Sequence, residues 1–368
     1  MKKILTVLGA RPQIIKSAAI TRIVRSEFSQ LLEEVVLNTG QHYDSNMSDI
    51  FFEELLLPPP KYDQAINCNK PFPINQMLLG IEHAIEIEKP DFMLVYGDTN
   101  STLAGTICAV KNDIPLVHIE SGLRSFNMDM PEEGNRILTD HSSRLLFSPT
   151  LQALNNLERE AINKSFVFHC GDIMYDNSLY YSQGDRNKST ILEDHGLNNQ
   201  SYILFTCHRP SNTDSKKNLT AIFDALQKIS VDTKKKIIFP IHPRTKKQII
   251  NLFGKDFIDV ALNGFLLLPP TSFLDTIMLI SNADLIITDS GGIQKEAYFF
   301  NKKSLVLREE TEWVEIIDNN AAILVGAKTE KIINGYNQIQ KLKPTFHNIF
   351  GDGKAGYFIC ETILKELA

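Results

Sequence analysis

Short β-rich runs alternate with stretches of helical period along nearly the whole chain, and few folds accommodate that alternation. The first series of candidate strands is Ile4–Leu8, Glu34–Asn38, Phe92–Tyr96, Leu116–Ile119, Leu145–Ser148 and Phe166–Cys170. Between them lie helical stretches such as Pro12–Val24, in which Ile15, Ala19 and Ile23 share one face. A second series runs through Tyr202–Thr206, Ile237–Ile241, Gly264–Leu268, Leu285–Thr288, Ser304–Leu307 and Ala322–Val325. Strands that alternate with helices pair in parallel, with the crossover helices covering both faces of the sheet. At 368 residues the chain is too long for one ordinary core. The pattern therefore reads as an α/β protein of two doubly wound domains facing a cleft, with the strand C-terminal ends of both sheets turned to the ligand. The polar segment Gln183–Gln200 between the two series is expected to be linker or surface loop. A last helix, Gly356–Leu367, follows the glycine-rich break at Gly351, Gly353 and Gly356 and need not belong to the second sheet.

Composition narrows the function. The net charge of −6, from 38 Lys+Arg against 44 Asp+Glu, gives no nucleic-acid footprint, so an anionic ligand must be held by local positive groups. The five cysteines, at 68, 108, 170, 207 and 360, are scattered and form no CxxC, which points to reduced thiols. The apolar run after Met1 is ended by Arg11-Pro12, and no segment approaches the ~20 apolar residues of a membrane span. A cytoplasmic protein with neither nucleic-acid nor membrane partner is expected.

The stretch HIESGLRSFNMDMPEEGNR begins as a buried strand and ends crowded with charge: Glu120, Asp129, Glu132 and Glu133 interleave with Arg124 and Arg136. A solvated loop is the plain explanation, and chemistry requires other groups to converge there. Asp98 ends FMLVYGD and by itself suits the N-cap of the helix that follows. Three strand-to-helix junctions suit anions. In LGARPQ, Arg11 and Pro12 open a helix after Gly9, although an ordinary tight turn explains the same residues. In ITDSGGIQKEA, Ser290, Gly291 and Gly292 let backbone N–H groups approach a phosphate, and Glu296 lies one turn on, where it can accept ribose hydroxyls; a Ser N-cap with packing glycines is the alternative. In FTCHRPSN, His208 and Arg209 end a strand, and His242 and Arg244 of IHPRT repeat the arrangement, as a diphosphate clamp would require. No HxH or HExxH spacing suggests a metal.

These pieces together resemble the non-hydrolysing UDP-N-acetylglucosamine 2-epimerases. GARPQIIK, TGQHYD, GDTNST, HIESGLRS, PEEGNR, CHR and TDSGGIQKEA occur in family order, covering Gly9 to about Glu315. The resemblance implies a GT-B architecture of two Rossmann-like domains: a first domain of residues 1–172 joined by the final helix, 355–368, and a UDP-binding domain of 173–354. It also implies a homodimer. The implied chemistry removes the C2 proton of a UDP-2-acetamido sugar and eliminates UDP to a 2-acetamidoglucal. UDP then adds back after C2 is reprotonated from the other face, a sequence that requires no NAD or metal. Carried over by motif, Asp98, Glu120 and Glu132 are the acid/base carboxylates, with His208 beside them. The UDP-sugar contacts are Arg11, Lys16, Arg136, Arg209, His242, Ser290, Gly291, Gly292, Glu296 and Glu312.

The chain departs from the family pattern in four places. Ala10 and Gln13 stand where Thr and Glu are common. Thr311-Glu312-Trp313-Val314-Glu315 replaces Thr-Glu-Arg-Pro-Glu, exchanging a cationic donor for an indole that equally suits a core. The arginines that usually follow the histidine are reduced to Arg209-Pro210-Ser211, a region on which substrate allostery partly depends in some members, although Gln41-His42 is kept. The loop between Glu120 and Glu132 is also short. With GDIMYD, the indole motif is similar to the branch acting on UDP-2,3-diacetamido-glucuronate. UDP-GlcNAc to UDP-ManNAc is the first expectation, the modified sugar the second. A GT-B glycosyltransferase and an inactive UDP-sugar sensor are remoter readings.

Overall fold

The computed structural model describes residues 1–41, 51–64, 74–255, 257 and 264–366. His42 of the TGQHYD motif lies outside them. Two compact units divide the chain: Met1–Tyr180 with Asn348–Ala368, and Tyr181–His347.

The first unit is built on a seven-stranded parallel sheet: β1 (Lys2–Leu8), β2 (Leu32–Asn38), β3 (Tyr62–Asp63), β4 (Phe92–Tyr96), β5 (Leu116–Ile119), β6 (Leu145–Ser148) and β7 (Val167–His169). Their spatial order is β3-β2-β1-β4-β5-β6-β7. The central strands are buried on both faces, which is why β4 reads as an unbroken apolar run and β5 is interrupted only by the buried His118. Helices α1 (Arg11–Glu27), α2 (Ile74–Glu88), α3 (Asn100–Lys111), α4 (Pro131–Ser142), α5 (Leu151–Arg159) and α6 (Ile173–Tyr181) flank it. Helix α1 is buried on most sides: Ile14, Ile15, Ala18, Ala19, Ile20 and Val24 are in the core, while Ile23 is only half-buried.

The second unit repeats the strand order. Its strands are β8 (Tyr202–Thr206), β9 (Lys236–Pro240), β10 (Phe265–Leu268), β11 (Leu285–Thr288), β12 (Ser304–Val306) and β13 (Ala322–Leu324), arranged β10-β9-β8-β11-β12-β13, all parallel. Helices α7 (Lys216–Thr233), α8 (Pro243–Phe253), α9 (Phe273–Asn282), α10 (Gly291–Phe299), α11 (Val314–Asp318) and α12 (Thr329–Lys341) accompany them. In each sheet the strand order reverses beside the first strand, between β1 and β4 and between β8 and β11. Doubly wound sheets bind ligands beyond the strand C-terminal ends at such a point.

Two features differ from the sequence expectation. Gln183–Gln200 is not mere linker, because Ile191, Leu192 and Leu197 are buried in one core with Tyr202, Leu204, Leu279 and Ile280. The division between units falls after Tyr180 and after His347 rather than at 172 and 354. Helix α6 packs on α1, where the Asn177 amide donates to the Ile15 carbonyl at 2.6 Å, and the Asp172 N–H donates to Phe350 O at 2.9 Å. The last helix, α13 (Ala355–Glu366), belongs to the first unit and lies against α1 so closely that a Cβ on Gly356 would sit 3.4 Å from the Ala19 carbonyl. Among the described residues, no helix is long and apolar enough to cross a membrane.

Candidate active site

The N-cap of α3 is Thr99, whose hydroxyl accepts from Thr102 N, so the Asp98 carboxylate is spared that role. It instead meets Arg136 of α4, with 2.7 Å between Oδ2 and Nη1. Burial pushes the Asp98 carboxyl above the usual carboxylate range; Arg136 and Lys16 draw it down, while Glu120 and Glu132 push it up. The same four neighbours define the site. Lys16 of α1 pairs with the carboxylate of Glu120, both side chains being nearly buried. Gly97 lies beneath that pair: a Cβ there would come within 3.1 Å of Glu120 Oε2.

Glu120 itself stands in the left-handed region, with φ 73°. A non-glycine residue there costs roughly 1–2 kcal/mol and persists only when its surroundings fix it. Strand β5 ends one residue earlier, at Ile119, and the reversal at Glu120 turns its carboxylate toward Lys16. The two glutamates of Pro-Glu-Glu divide their duties. Glu133 is buried and accepts from the amides of Ser125 and Phe126 at 3.0 and 2.9 Å, pinning the loop. Burial works to raise its carboxyl, but those amides, the Ser125 hydroxyl and Arg136 hold it below the usual range. Glu132 is exposed and remains available. The structure thus brings Asp98, Glu120, Glu132, Lys16 and Arg136 together at the C-terminal ends of β4 and β5. Lys16 faces a carboxylate there, whereas the resemblance made it a UDP contact.

The anion reading of the first junction changes. Gln13 folds back so that its Oε1 accepts from Gly9 N and Ala10 N at 2.9 and 3.1 Å, while its Nε2 donates to Tyr96 O and Thr102 Oγ1. A glutamate could not donate those last two bonds. Arg11 extends over the Phe51 ring at 4.4 Å.

In the second unit, Ser290 caps α10 by accepting from Ile293 N, and Glu296 is buried one turn along. Gly291 leaves room for the tip of Glu312: a Cβ there would come 2.2 Å from Oε1, and that carboxylate would have to move aside. Glu312 pairs with Arg308 at 2.8 Å. Burial pulls the Arg209 guanidinium down, as does nearby Arg308, against the opposite pull of Glu312, Asp289 and Glu310. Trp313 is buried, with the Lys295 ammonium 4.7 Å from its ring centroid. His242 caps α8 by accepting from Arg244 N at 3.2 Å, while Arg244 donates from Nη2 to both Asp214 oxygens and from Nη1 to Thr213 Oγ1, each at 2.7 Å. The second His/Arg pair is therefore engaged in local structure, the guanidinium being held by Asp214 and Thr213.

Sequence reasoning missed Asp289. Fully buried, it accepts from the amides of His208 and Arg209 at 3.0 Å each and from Asn212 Nδ2 at 3.1 Å. Its Oδ1 lies 3.4 Å from His208 Nδ1, aiming a half-exposed imidazole. A carboxylate between β11 and the Ser-Gly-Gly turn was the available signal.

The model of the UDP-N-acetylglucosamine 2-epimerase family matches residues 26–364. The chain belongs to that family. It is 43% identical over 369 residues to a UDP-N-acetylglucosamine 2-epimerase homolog of Methanococcus maripaludis, covering 99% of this chain and 100% of that one. It is 42% identical over 368 residues to the UDP-2,3-diacetamido-2,3-dideoxy-D-glucuronate 2-epimerase of Pseudomonas aeruginosa, covering 99% of each. The crystal structure of Methanocaldococcus jannaschii UDP-GlcNAc 2-epimerase in complex with UDP-GlcNAc and UDP superposes with a TM-score of 0.86 at 38% identity, over 99% of this chain and 100% of that one. As a member of the 2-epimerase family the chain is an isomerase, with the two-domain α/β fold of its relatives.

Proposed function

We propose that this epimerase inverts C2 of a UDP-2-acetamido sugar without hydrolysis, by eliminating UDP to a 2-acetamidoglucal and adding it back. The carrying observation is the cluster of Asp98, Glu120 and Glu132 interleaved with Lys16 and Arg136. A C2–H beside no carbonyl is removed only with help at the leaving group, and inversion needs proton transfer at two faces. Carboxylates held near one another, with cations of different reach, acquire different proton affinities, as an acid and a base require. In this reading the second unit holds UDP: Ser290, Gly291 and Gly292 face the diphosphate, Glu296 the ribose, and His208 with Arg209 the departing phosphate charge. UDP-GlcNAc, with UDP-ManNAc as product, is the proposed substrate, in keeping with the sugar bound by the Methanocaldococcus jannaschii relative.

A second substrate has its own support. The Pseudomonas aeruginosa relative acts on a 2,3-diacetamido uronate, and the buried Trp313 stands where an arginine is usual. Proton NMR in D2O decides between them. Loss of the C2–H signal and a new epimer signal are expected with UDP-GlcNAc; exchange only with the diacetamido uronate assigns that sugar. Exchange with neither removes the epimerase reading.

A further inference from the structure

His118 opens the HIESG segment and is wholly buried. Its Nε2 lies 2.8 Å from the Gly97 carbonyl and its Nδ1 lies 2.7 Å from Asp140 Oδ1. The second Asp140 oxygen accepts from Gly122 N at 3.1 Å and meets Arg124 Nη1 at 2.7 Å. Arg124, also buried, forks onto Glu160 at 2.6 and 2.7 Å, and Glu160 in turn faces the partly exposed His141 at 3.1 Å. Burial would raise the Asp140 carboxyl, but His118 and Arg124 outweigh it and hold it below the usual range.

The two backbone groups gripped at the inner end flank the acid/base carboxylates. Gly97 immediately precedes Asp98 and has φ 60°; Gly122 follows Glu120 by two residues and has φ 80°. Glu120 between them is itself left-handed. Turns of that kind hold one geometry only when something fixes both ends. We infer that the buried His118–Asp140 pair, with Arg124 as its counter-charge, is a positioning device that sets the two carboxylate-bearing turns relative to one another. This rests on the proposed function. The link to Asp98 is a carbonyl, which only accepts, so the network does not pass protons to the site. It fixes position.

The test compares His118→Phe, which keeps ring volume without donors, with His118→Gln, which keeps one N–H for the Gly97 carbonyl, and with the near-isosteric Asp140→Asn. For each, melting temperature, calorimetric UDP affinity, and the rate and pH profile of C2–H exchange are measured per UDP-binding site. UDP affinity is expected to stay within about twofold, showing that the second unit is intact. Exchange should fall about 10²-fold in His118→Phe, the usual loss for a misplacement near 1 Å, and recover in part in His118→Gln. Its pH profile should shift as Asp98 and Glu120 move relative to Arg136, Lys16 and Glu132. A variant that melts earlier but keeps the parent's exchange rate and pH profile per site overturns the inference, since a merely structural pair would behave so. If His118→Phe does not fold, Asp140→Asn carries the same comparison. A parent protein that exchanges no C2–H with any UDP-2-acetamido sugar defeats the functional reading instead, and this inference falls with it.

Discussion

Arg136 touches Asp98 with one guanidinium nitrogen, at 2.7 Å, and Glu133 with another, at 3.0 Å. One side chain thereby couples a candidate acid/base group to the carboxylate that pins the 125–126 loop. Replacing Arg136 by Met keeps the stem and removes the charge that draws Asp98 down. The Asp98 carboxyl should then rise further, so the limb of the kcat–pH profile that it governs moves to higher pH. Rate profiles of both proteins over the same pH range check this, and an unmoved limb dissociates Asp98 from it.

Lys16 is paired with Glu120. Lys16→Met should lower kcat by about 10²-fold, since it removes the charge that holds an acid/base group in place, and leave UDP affinity little changed. Calorimetry beside turnover separates this from the nucleotide contact that the family resemblance implies, which predicts the reverse.

Glu120→Gln and Glu296→Ala should fail differently. The first keeps shape but not charge and should lose about 10²–10⁴ in kcat with UDP binding retained. The second removes a charged acceptor worth about 1.5–3 kcal/mol, and UDP should bind about one to two decades more weakly. If Glu120→Gln abolishes UDP binding while turnover per bound complex survives, Glu120 is structural.

Asp176 accepts from Gly356 N at 2.8 Å, tying α6 to the start of α13. Burial raises its carboxyl from 3.8 to about 6, against the amides of Gly356 and Ala355 and the charge of Arg22, with Asp172 adding to the rise. A raised acid favours the folded state fully below pH 3.8, and that contribution is lost as pH climbs through about 6. The loss amounts to about 3 kcal/mol at 1.36 kcal/mol per pKa unit. Asp176→Asn, which cannot ionise, should gain melting temperature relative to the parent between pH 4 and 7. Parallel melting curves across that range would refute the assignment.

Much of the fold was legible because buried parallel strands announce themselves as apolar runs closed by turns, as Phe92–Tyr96 and Leu285–Thr288 do. The two-residue strand Tyr62–Asp63 had no period to read. Ile191, Leu192 and Leu197 were submerged in a polar segment, where three apolar residues do not distinguish a core plug from a loop. Within the site, residue types and order pointed to Asp98, Glu120 and Glu132, but side-chain direction did not follow from order. Thr99, Asn100 and Ser101 beside Asp98 can all cap a helix, so only the geometry shows Thr99 doing it. Asp289 stands in the quoted motif without a role of its own, because the sequence says nothing of which amides a buried carboxylate will reach.

The two sheets share one strand order, and in both the turn after the first strand is already satisfied from within. Gln13 accepts the amides of Gly9 and Ala10; Asp289 accepts those of His208 and Arg209. In a dinucleotide-binding protein that first turn is where bare amides receive a pyrophosphate. Here those four amides are spent before any ligand arrives, so an anion at the second turn would meet the side chains of His208 and Arg209 rather than their backbone. The proposed phosphate seat, the Ser290-Gly291-Gly292 turn, lies one strand further along the sheet. A doubly wound sheet can thus keep its strand order while its first turn serves as internal scaffolding rather than as an anion seat.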